Sequence, residues 1–92
     1  MIRTFRCREP EKVYRRERSR RFGNIGKVAR RKLRMLDDAE KLEDVGAVPW
    51  NRLEALVGDR KGQYSVRIND QWRICFGWRE GAAEDVEMVD YH

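Results

Sequence analysis

Hydrophobic residues in the first half of the chain repeat with the spacing of a helix. They fall at Ile25, Val28, Ala29, Leu33, Leu36 and Ala39. Positions three and four apart share one face of a helix, so the pattern predicts a main helix over roughly residues 25–42. Asn24 is suited to cap its N-terminus. Before it, Pro10 favours the first turn of a short helix, and residues 19–26 are predicted to form a loop around Gly23 and Asn24.

After a predicted loop at residues 43–51, the apolar positions mostly alternate with a period of two, which is typical of strands. Strands are predicted at residues 2–6, 52–57, 64–68, 72–78 and 85–91. Asn69-Asp70 is a two-residue connection, which predicts a hairpin between the third and fourth of these strands. We therefore expect one α+β domain that spans residues 1–92.

The alternation also assigns the side chains of this hairpin to the two faces of the sheet. The face expected to pack against the helices carries Tyr64, Val66, Ile68, Trp72, Ile74 and Phe76. The opposite face carries Ser65, Arg67, Arg73 and Cys75. We therefore expect two arginines, Arg67 and Arg73, to project from the open side of the sheet.

Charged residues make up 40% of the 92-residue chain and are distributed unevenly. Residues 1–36 contain 14 Lys and Arg against three Glu, a net charge of +11. Residues 37–92 contain seven Lys and Arg against 13 Asp and Glu, a net charge of −6. So basic a half indicates a polyanionic partner, RNA or DNA, although a solvated helical surface or a surface that docks an acidic protein would have the same composition. Four of these cations repeat at helical spacing and predict a basic stripe: Lys27, Arg30, Arg31 and Arg34.

Other features of the sequence disfavour several classes of protein. The chain has no run of about 18 apolar residues, and its start turns charged at once, so we expect neither a membrane span nor a secretory signal. Cys7 and Cys75 suggest neither a disulfide framework nor a metal site. We expect a cytoplasmic protein with reduced thiols and with no metal or cofactor.

Three groups of residues are candidates for chemistry. His92 is the only histidine and follows Asp90 and Tyr91, which gives it neighbours able to orient it or exchange protons, although a terminal histidine is often a tail without a role. Arg73 lies between apolar strand residues and either braces a carboxylate or holds a phosphate. Arg60-Lys61 lies in a glycine-bounded turn that either clamps phosphate or is an ordinary charged loop.

These residue types suit the cleavage of RNA without a metal. RNA supplies its own nucleophile, the 2′-hydroxyl. Cleavage then needs a base to activate that oxygen, cations to stabilise the phosphorane and an acid to protonate the leaving 5′-oxygen. The imidazole, phenol, carboxylate and guanidinium groups of these candidates can fill those roles.

Four sequence blocks point to a known family. They are Met-Ile-x-x-Phe at the start, Leu56-x-Gly58-Asp59-Arg60-x-Gly62 leading to Ser65-Val66, Trp72-Arg73-Ile74-x-Phe76, and Asp90-Tyr91-His92. In their order and spacing the chain resembles the HigB-type plasmid-maintenance killer toxins of the RelE/ParE superfamily. The resemblance implies a small, mixed, mainly antiparallel sheet with two helices from the N-terminal half packed on one face.

The same resemblance implies a function. It is that of a ribosome-dependent endoribonuclease that cuts messenger RNA and is neutralised by a helix-turn-helix antitoxin of the HigA type. The toxin–antitoxin complex is implied to bind operator DNA. Arg73 matches the phosphate-stabilising arginine of the family, and Asp90, Tyr91 and His92 match its C-terminal catalytic group.

Two positions depart from the family pattern. Glu54 replaces the first active-site histidine, and Val57 replaces a lysine. Glu54 is able to act as a base in place of the histidine, and Lys61 or Arg67 would compensate for the missing lysine. We therefore expect a weaker or differently tuned nuclease.

Two further functions are compatible with the sequence. The first is a ParE-like inhibitor of DNA gyrase that acts by binding. The second is a non-catalytic relic that serves as antitoxin partner and operator co-repressor. Arg73 and the Asp90-Tyr91-His92 end favour the nuclease, whereas the departures at Glu54 and Val57 favour the relic.

Overall fold

The computed structural model describes residues 1–15 and 25–90. Within these two ranges, three helices come first and four strands follow. The helices are α1 (Arg8–Tyr14), α2 (Gly26–Asp38) and α3 (Leu42–Gly46), and the strands are β1 (Glu54–Ala55), β2 (Gln63–Arg67), β3 (Trp72–Arg79) and β4 (Ala82–Asp90). Two short 3-10 turns, Pro49–Asn51 and Gly58–Arg60, flank β1. The predicted α+β class is confirmed.

The four strands form one antiparallel sheet in the order β1-β2-β3-β4. The N-terminal segment lies beside β4, where Ile2 and Phe5 form isolated parallel bridges to Ala83 and Val86. The first predicted strand is therefore reduced to two bridges, which add a parallel edge to the antiparallel sheet. Asp85, in the left-handed region at φ 52°, lies where the β3–β4 register shifts, and its backbone N–H donates to the Thr4 hydroxyl at 2.9 Å.

The core lies between α2 and the sheet. One face of α2 buries Ala29, Leu33 and Leu36 completely, as the helical spacing predicts. Against this face pack buried sheet residues: Val66, Ile68, Ile74, Phe76, Val86 and Met88. Tyr64, Trp72 and Trp78 border the same cluster, so the predicted core face of the hairpin is confirmed.

The main helix ends at Asp38, earlier than the predicted residue 42. The N-terminal segment crosses this end, where the Met1 ammonium donates to the Ala39 carbonyl at 3.1 Å and the Ile2 N–H donates to the Asp37 carboxylate at 2.7 Å. Contacts with a segment more than thirty residues away therefore hold the helix end. The predicted cap, Asn24, and most of the loop predicted at residues 19–26 lie outside the described residues.

The hairpin and the first sheet strand also differ from the prediction. The connection between β2 and β3 has four residues rather than two, because the Asn69 side chain accepts from the backbone N–H groups of Gln71 and Trp72 and forms its own turn. β1 has two residues rather than six, because Arg52 adopts the left-handed conformation at φ 47° and Gly58 begins a 3-10 turn. Over the described ranges, no helix is both long and apolar enough to cross a membrane.

Candidate functional site

Arg73 does not project from an open sheet face, contrary to the sequence prediction. Arg73 as a whole is 8% exposed, and its neighbours on that face, Ser65 and Cys75, are fully buried. The sequence pattern assigned the correct face but could not reveal that this part of it is covered. The buried guanidinium is instead a fixed charge inside the protein.

Hydrogen bonds hold the Arg73 guanidinium toward β1 and β2. Its Nε donates to the Ser65 hydroxyl at 2.8 Å, and its Nη2 donates to the carbonyl oxygens of Ser65 at 3.3 Å and Arg52 at 2.6 Å. The left-handed backbone of Arg52 lies two residues before β1, so a sparsely populated conformation coincides with one of these acceptors. The orientation of Arg73 is thereby fixed by groups from two other chain segments.

Glu54 is the carboxylate that pairs with Arg73. Its Oε2 lies 3.9 Å from Arg73 Nη2, and its side chain is 59% exposed whereas that of Arg73 is 10% exposed. The structure thus brings together two predicted site residues, one buried cation and one carboxylate accessible to solvent. Glu54 faces Ser65 across the β1–β2 pair, which explains how it reaches this point.

The other candidate cations near the sheet are engaged with acids or lie exposed. Arg60, in the turn Gly58–Arg60, lies 3.4 Å from Glu87 and donates to Gln63 at 3.2 Å. Arg67 pairs with Asp70 across the β2–β3 connection. Lys61 is exposed directly after the turn. Arg60 and Arg67 therefore pair with acids other than Glu54, although Arg67 faces Arg73 across the β2–β3 pair.

Asp90 is the last described residue, and Tyr91 and His92 lie outside the described part of the chain. Asp90 faces Trp72 across the β3–β4 pair, and its carboxylate accepts from Gln71 at 3.1 Å. Arg73 faces Val89 instead. Because side chains alternate along a strand, the side chains of Asp90 and Arg73 lie at adjacent cross-strand positions but on opposite faces of the sheet.

The basic stripe of α2 lies together on one surface, as its spacing predicts. Lys27, Arg30, Arg31 and Arg34 line a concavity of about 610 Å³ together with Tyr14 of α1. The Lys27, Arg31 and Arg34 residues are exposed, and Arg30 is half-buried. This surface is separate from Arg73, since it belongs to the helical layer.

Tyr14 and Asp37 form a polar connection that the sequence reasoning missed. The Tyr14 hydroxyl donates to the Asp37 carboxylate, which also accepts from the Ile2 N–H. Burial and the adjacent carboxylate raise the pKa of Tyr14 to about 12. Burial works to raise the pKa of Asp37, but the donors Tyr14 and Ile2, the N-terminal ammonium and Arg34 outweigh it and lower that pKa below its ordinary value.

Lys32 and Asn51 form a second missed connection, between α2 and the turn Pro49–Asn51. Asn51 is 1% exposed, and its side-chain oxygen accepts from the Lys32 ammonium at 2.6 Å. Burial lowers the pKa of Lys32, and the positive charges of Arg31 and Arg67 lower it further. The sequence signal for this region is Trp50, a large aromatic residue in a predicted loop.

Within the described residues, no group of three or more His, Cys, Asp or Glu side chains is placed to hold a metal ion. Cys7 is exposed and Cys75 is buried, and no disulfide joins them.

Comparison with known sequences identifies relatives over most of the chain. A sequence model of a family described as RelE-like toxin of type II toxin-antitoxin system HigB matches residues 4–92. Toxin HigB-1 of Vibrio cholerae is 45% identical over 53 residues, which cover 58% of this chain and 56% of that protein. Endoribonuclease HigB of Proteus vulgaris is 31% identical over 61 residues, which cover 66% of this chain and 65% of that protein. The matched part of the chain therefore spans somewhat less than two thirds of each of these relatives.

Solved structures show the same fold. The toxin–antitoxin complex of YoeB and YefM from Staphylococcus aureus matches with a TM-score of 0.59 over 100% of this chain and 98% of that one. The YoeB dimer from the same organism matches with a TM-score of 0.57, over 99% of this chain and 97% of that one. The sequence identity is 18% in both cases, so the likeness concerns the fold alone.

Proposed function

The chain belongs to the HigB-like family of RelE-like toxins from type II toxin–antitoxin systems, and from this we propose that it is an endoribonuclease that cuts messenger RNA on the ribosome. The observation that carries the proposal is the pair of Arg73 and Glu54, a buried guanidinium beside a solvent-accessible carboxylate. The relative from Proteus vulgaris that is called an endoribonuclease supports the same reaction class.

In the proposed reaction Glu54 acts as the base. Its carboxylate takes the proton of the RNA 2′-hydroxyl, whose oxygen attacks the adjacent phosphorus while the bond from phosphorus to the 5′-oxygen breaks. Arg73 stabilises the charge that develops on the phosphorane oxygens, because its guanidinium is always charged and is already oriented by Ser65 and Arg52. The nucleophile belongs to the substrate, so this route requires no metal.

His92 is proposed to protonate the leaving 5′-oxygen, with Asp90 and Tyr91 assisting it. The family match extends through residue 92, which supports a role for this end. Asp90, the last described residue, pairs with Trp72 at one end of the sheet, and Tyr91 joins it to His92 in the sequence. This assignment predicts that the imidazole acts from the β4 side while Glu54 acts from the β1 side.

The proposed partners follow from the family. We expect an antitoxin, of the HigA helix-turn-helix type, that neutralises the toxin and binds operator DNA together with it. The complex of YoeB with YefM shows that a protein of this fold assembles with an antitoxin. The ribosome and messenger RNA are the proposed targets in the cytoplasm, and the basic stripe of α2 is the proposed surface for ribosomal RNA, whose phosphates attract clustered cations.

Primer extension on a defined message after brief induction of the protein tests this function. We expect discrete cuts within codons, and their loss in Arg73→Ala and in His92→Ala. Cuts that persist in His92→Ala would reject the role of the imidazole but retain that of Arg73. DNA breaks that depend on gyrase, with the message intact, would establish the gyrase inhibitor instead.

A second candidate function is supported by the two departures from the family pattern. Glu54 replaces a histidine and Val57 replaces a lysine, which removes a positive charge beside the proposed phosphate position. A toxin weakened in this way would act mainly as antitoxin partner and operator co-repressor. An intact message together with antitoxin-dependent operator binding would favour this function.

A further inference from the structure

We propose that a groove beside Trp50 binds one unpaired nucleotide of RNA, with the base stacked on the indole and the phosphate facing Arg31, Lys32 and Arg67. The Trp50 groove is a concavity of about 440 Å³ between α2, the turn Pro49–Asn51 and the end of β2. The inference rests on the proposed RNA-cleaving function and adds a contact outside the Arg73–Glu54 pair.

Trp50 differs from the other two tryptophans of the chain in its exposure. It is 69% exposed, whereas Trp72 and Trp78 pack against the core cluster. The groove beside the indole has apolar walls, formed by Val28, Met35, Val48 and Ile68. A planar aromatic side chain open to solvent beside apolar walls is able to receive another planar group by stacking.

The backbone that carries Trp50 is held in place before any ligand binds. Pro49 begins the turn, and the buried Asn51 ends it. The Asn51 amide donates to the Val45 carbonyl at 3.1 Å and to the Met35 sulfur at 3.3 Å. Because the turn is anchored to both α2 and α3, little conformational entropy remains to be lost when a ligand stacks on the indole.

Positive charge is concentrated at the same groove. Arg31 and Lys32 come from α2 and Arg67 from β2, and the charges of the two arginines contribute to lowering the pKa of Lys32. An anion placed among these cations would offset their mutual repulsion. Asp70, the acid that pairs with Arg67, has a side chain that is 97% exposed, so water already screens this pair.

An RNA nucleotide fits both features of the groove because it joins a flat base to a phosphate. Proteins bind unpaired RNA through aromatic stacking combined with basic side chains. An acidic peptide would match the cations and the apolar walls, but it would not require an exposed indole. We therefore favour RNA, and we treat the peptide as an outcome of the test.

The groove also adjoins the candidate active site. Arg52 follows Asn51 directly, and its carbonyl accepts the 2.6 Å hydrogen bond from Arg73. Trp50 thus carries the exposed indole, Asn51 the buried amide, and Arg52 the carbonyl that orients the Arg73 guanidinium. Three consecutive residues link the groove to Arg73.

The test measures the affinity for a short unstructured oligoribonucleotide with 2′-O-methyl groups, which can bind but lacks the nucleophile for cleavage. We expect Trp50→Ala to weaken binding about 5- to 150-fold, since one base–aromatic stack is worth ~1–3 kcal/mol. Trp50→Phe should retain most of the affinity. The control is Cys7→Ala, which truncates another exposed, uncharged side chain outside the groove lining and should leave the affinity unchanged.

A second probe of the same length, with the bases removed at every position, separates stacking from charge. We expect the wild type and Trp50→Ala to bind this abasic strand equally. Equal affinity of the two proteins for the base-containing strand would overturn the inference, as would an equal loss on the abasic strand. Weaker binding of purified antitoxin by Trp50→Ala, with RNA affinity unchanged, would also overturn it and assign the groove to a protein.

Cleavage is followed separately on ribosomes. Absence of cleavage by the wild type would reject the proposed function, while Trp50-dependent binding of the uncleavable strand would still stand.

Discussion

The buried charge of Arg73 and the basic stripe of α2 represent two different uses of cations in one small protein. Arg73 is 8% exposed and is oriented by acceptors on Ser65 and Arg52. The stripe presents its cations along an open concavity, with three of the four exposed. The first arrangement fixes one charge at one position, and the second spreads charge over a surface.

The difference shows which cations suit which task. A fixed guanidinium can stabilise charge that develops at one atom, because no reorganisation is needed when the reaction occurs. Exposed cations attract a polyanion over a wide area, and salt weakens that attraction. Substitutions in the two regions should therefore change different measurements.

Replacing Arg73 should produce the largest effect. In Arg73→Ala the Ser65 hydroxyl and the Arg52 carbonyl lose their charged donor, and we expect the free energy of unfolding to fall by about 2–4 kcal/mol. Cleavage should fall by about 100-fold or more. Urea denaturation and primer extension measure the two effects.

Arg73→Lys keeps the charge but not the planar fork, so it should recover only part of each loss. Wild-type stability in Arg73→Ala would contradict the comparison, because it would mean that these hydrogen bonds do not hold the fold.

Replacing Glu54 should separate catalysis from stability. Its side chain is 59% exposed, so we expect Glu54→Gln to change the free energy of unfolding by less than about 0.5 kcal/mol. Loss of a general base should lower single-turnover cleavage on ribosomes about 100-fold. Glu43→Gln, an exposed acid of α3, serves as the control. A wild-type rate of single-turnover cleavage in Glu54→Gln would show that the base is another group.

Neutralising the stripe should reduce affinity without destabilising the protein. For Lys27→Gln combined with Arg34→Gln, we expect weaker ribosome binding and a salt slope smaller by about 1.4, from ~0.7 per phosphate contact. The free energy of unfolding should stay within about 0.5 kcal/mol of the wild type. Sedimentation with ribosomes over a range of salt concentrations measures the effect.

The control for the stripe is Lys41→Gln combined with Arg79→Gln, which removes the same charge from other surfaces. An equal loss in this control would mean that net charge alone, and not the stripe, determines binding.

The Tyr14–Asp37 connection should produce the smallest effect, and it tests whether α2 also carries fixed charge at its end. The lowered pKa of Asp37 stabilises the fold above the ordinary carboxyl range, and this contribution is lost as the pH falls through that pKa. The raised pKa of Tyr14 stabilises the fold fully below pH ~10, and this contribution is lost as the pH rises toward about 12.

We therefore expect the free energy of unfolding, measured by urea denaturation, to fall less at acidic pH in Asp37→Asn than in the wild type. In Tyr14→Phe it should fall less at alkaline pH, and it should be about 1 kcal/mol lower than in the wild type near neutral pH. The control is Tyr64→Phe on β2, which removes a phenol hydroxyl outside this connection. The same alkaline dependence in Tyr14→Phe and wild type would show that Tyr14 does not contribute to it.

The sequence alone predicted the main helix, the central hairpin and the core, whereas α3 lies in the segment that was predicted to be a loop at residues 43–51. The spacing of Leu33 and Leu36 predicted the buried face of α2, and the alternation of Val66 and Ile74 predicted the buried face of the hairpin. Family blocks predicted the candidate residues Arg73 and Glu54, which the structure brings together. The roles of Tyr91 and His92 remain predictions from the sequence, since these residues lie outside the described part of the chain.

Only the tertiary structure decided what surrounds those residues. Alternation placed Arg73 on a sheet face, but one of the acceptors that orient its guanidinium is the carbonyl of Arg52, 21 positions away. The end of α2 depends on Met1, 38 positions from Ala39, and the anchoring of Trp50 depends on contacts between Asn51 and α2. The periodicity of apolar residues indicates the local conformation of the chain. The burial of a side chain and its hydrogen-bond partners depend on segments that meet only when the chain has folded.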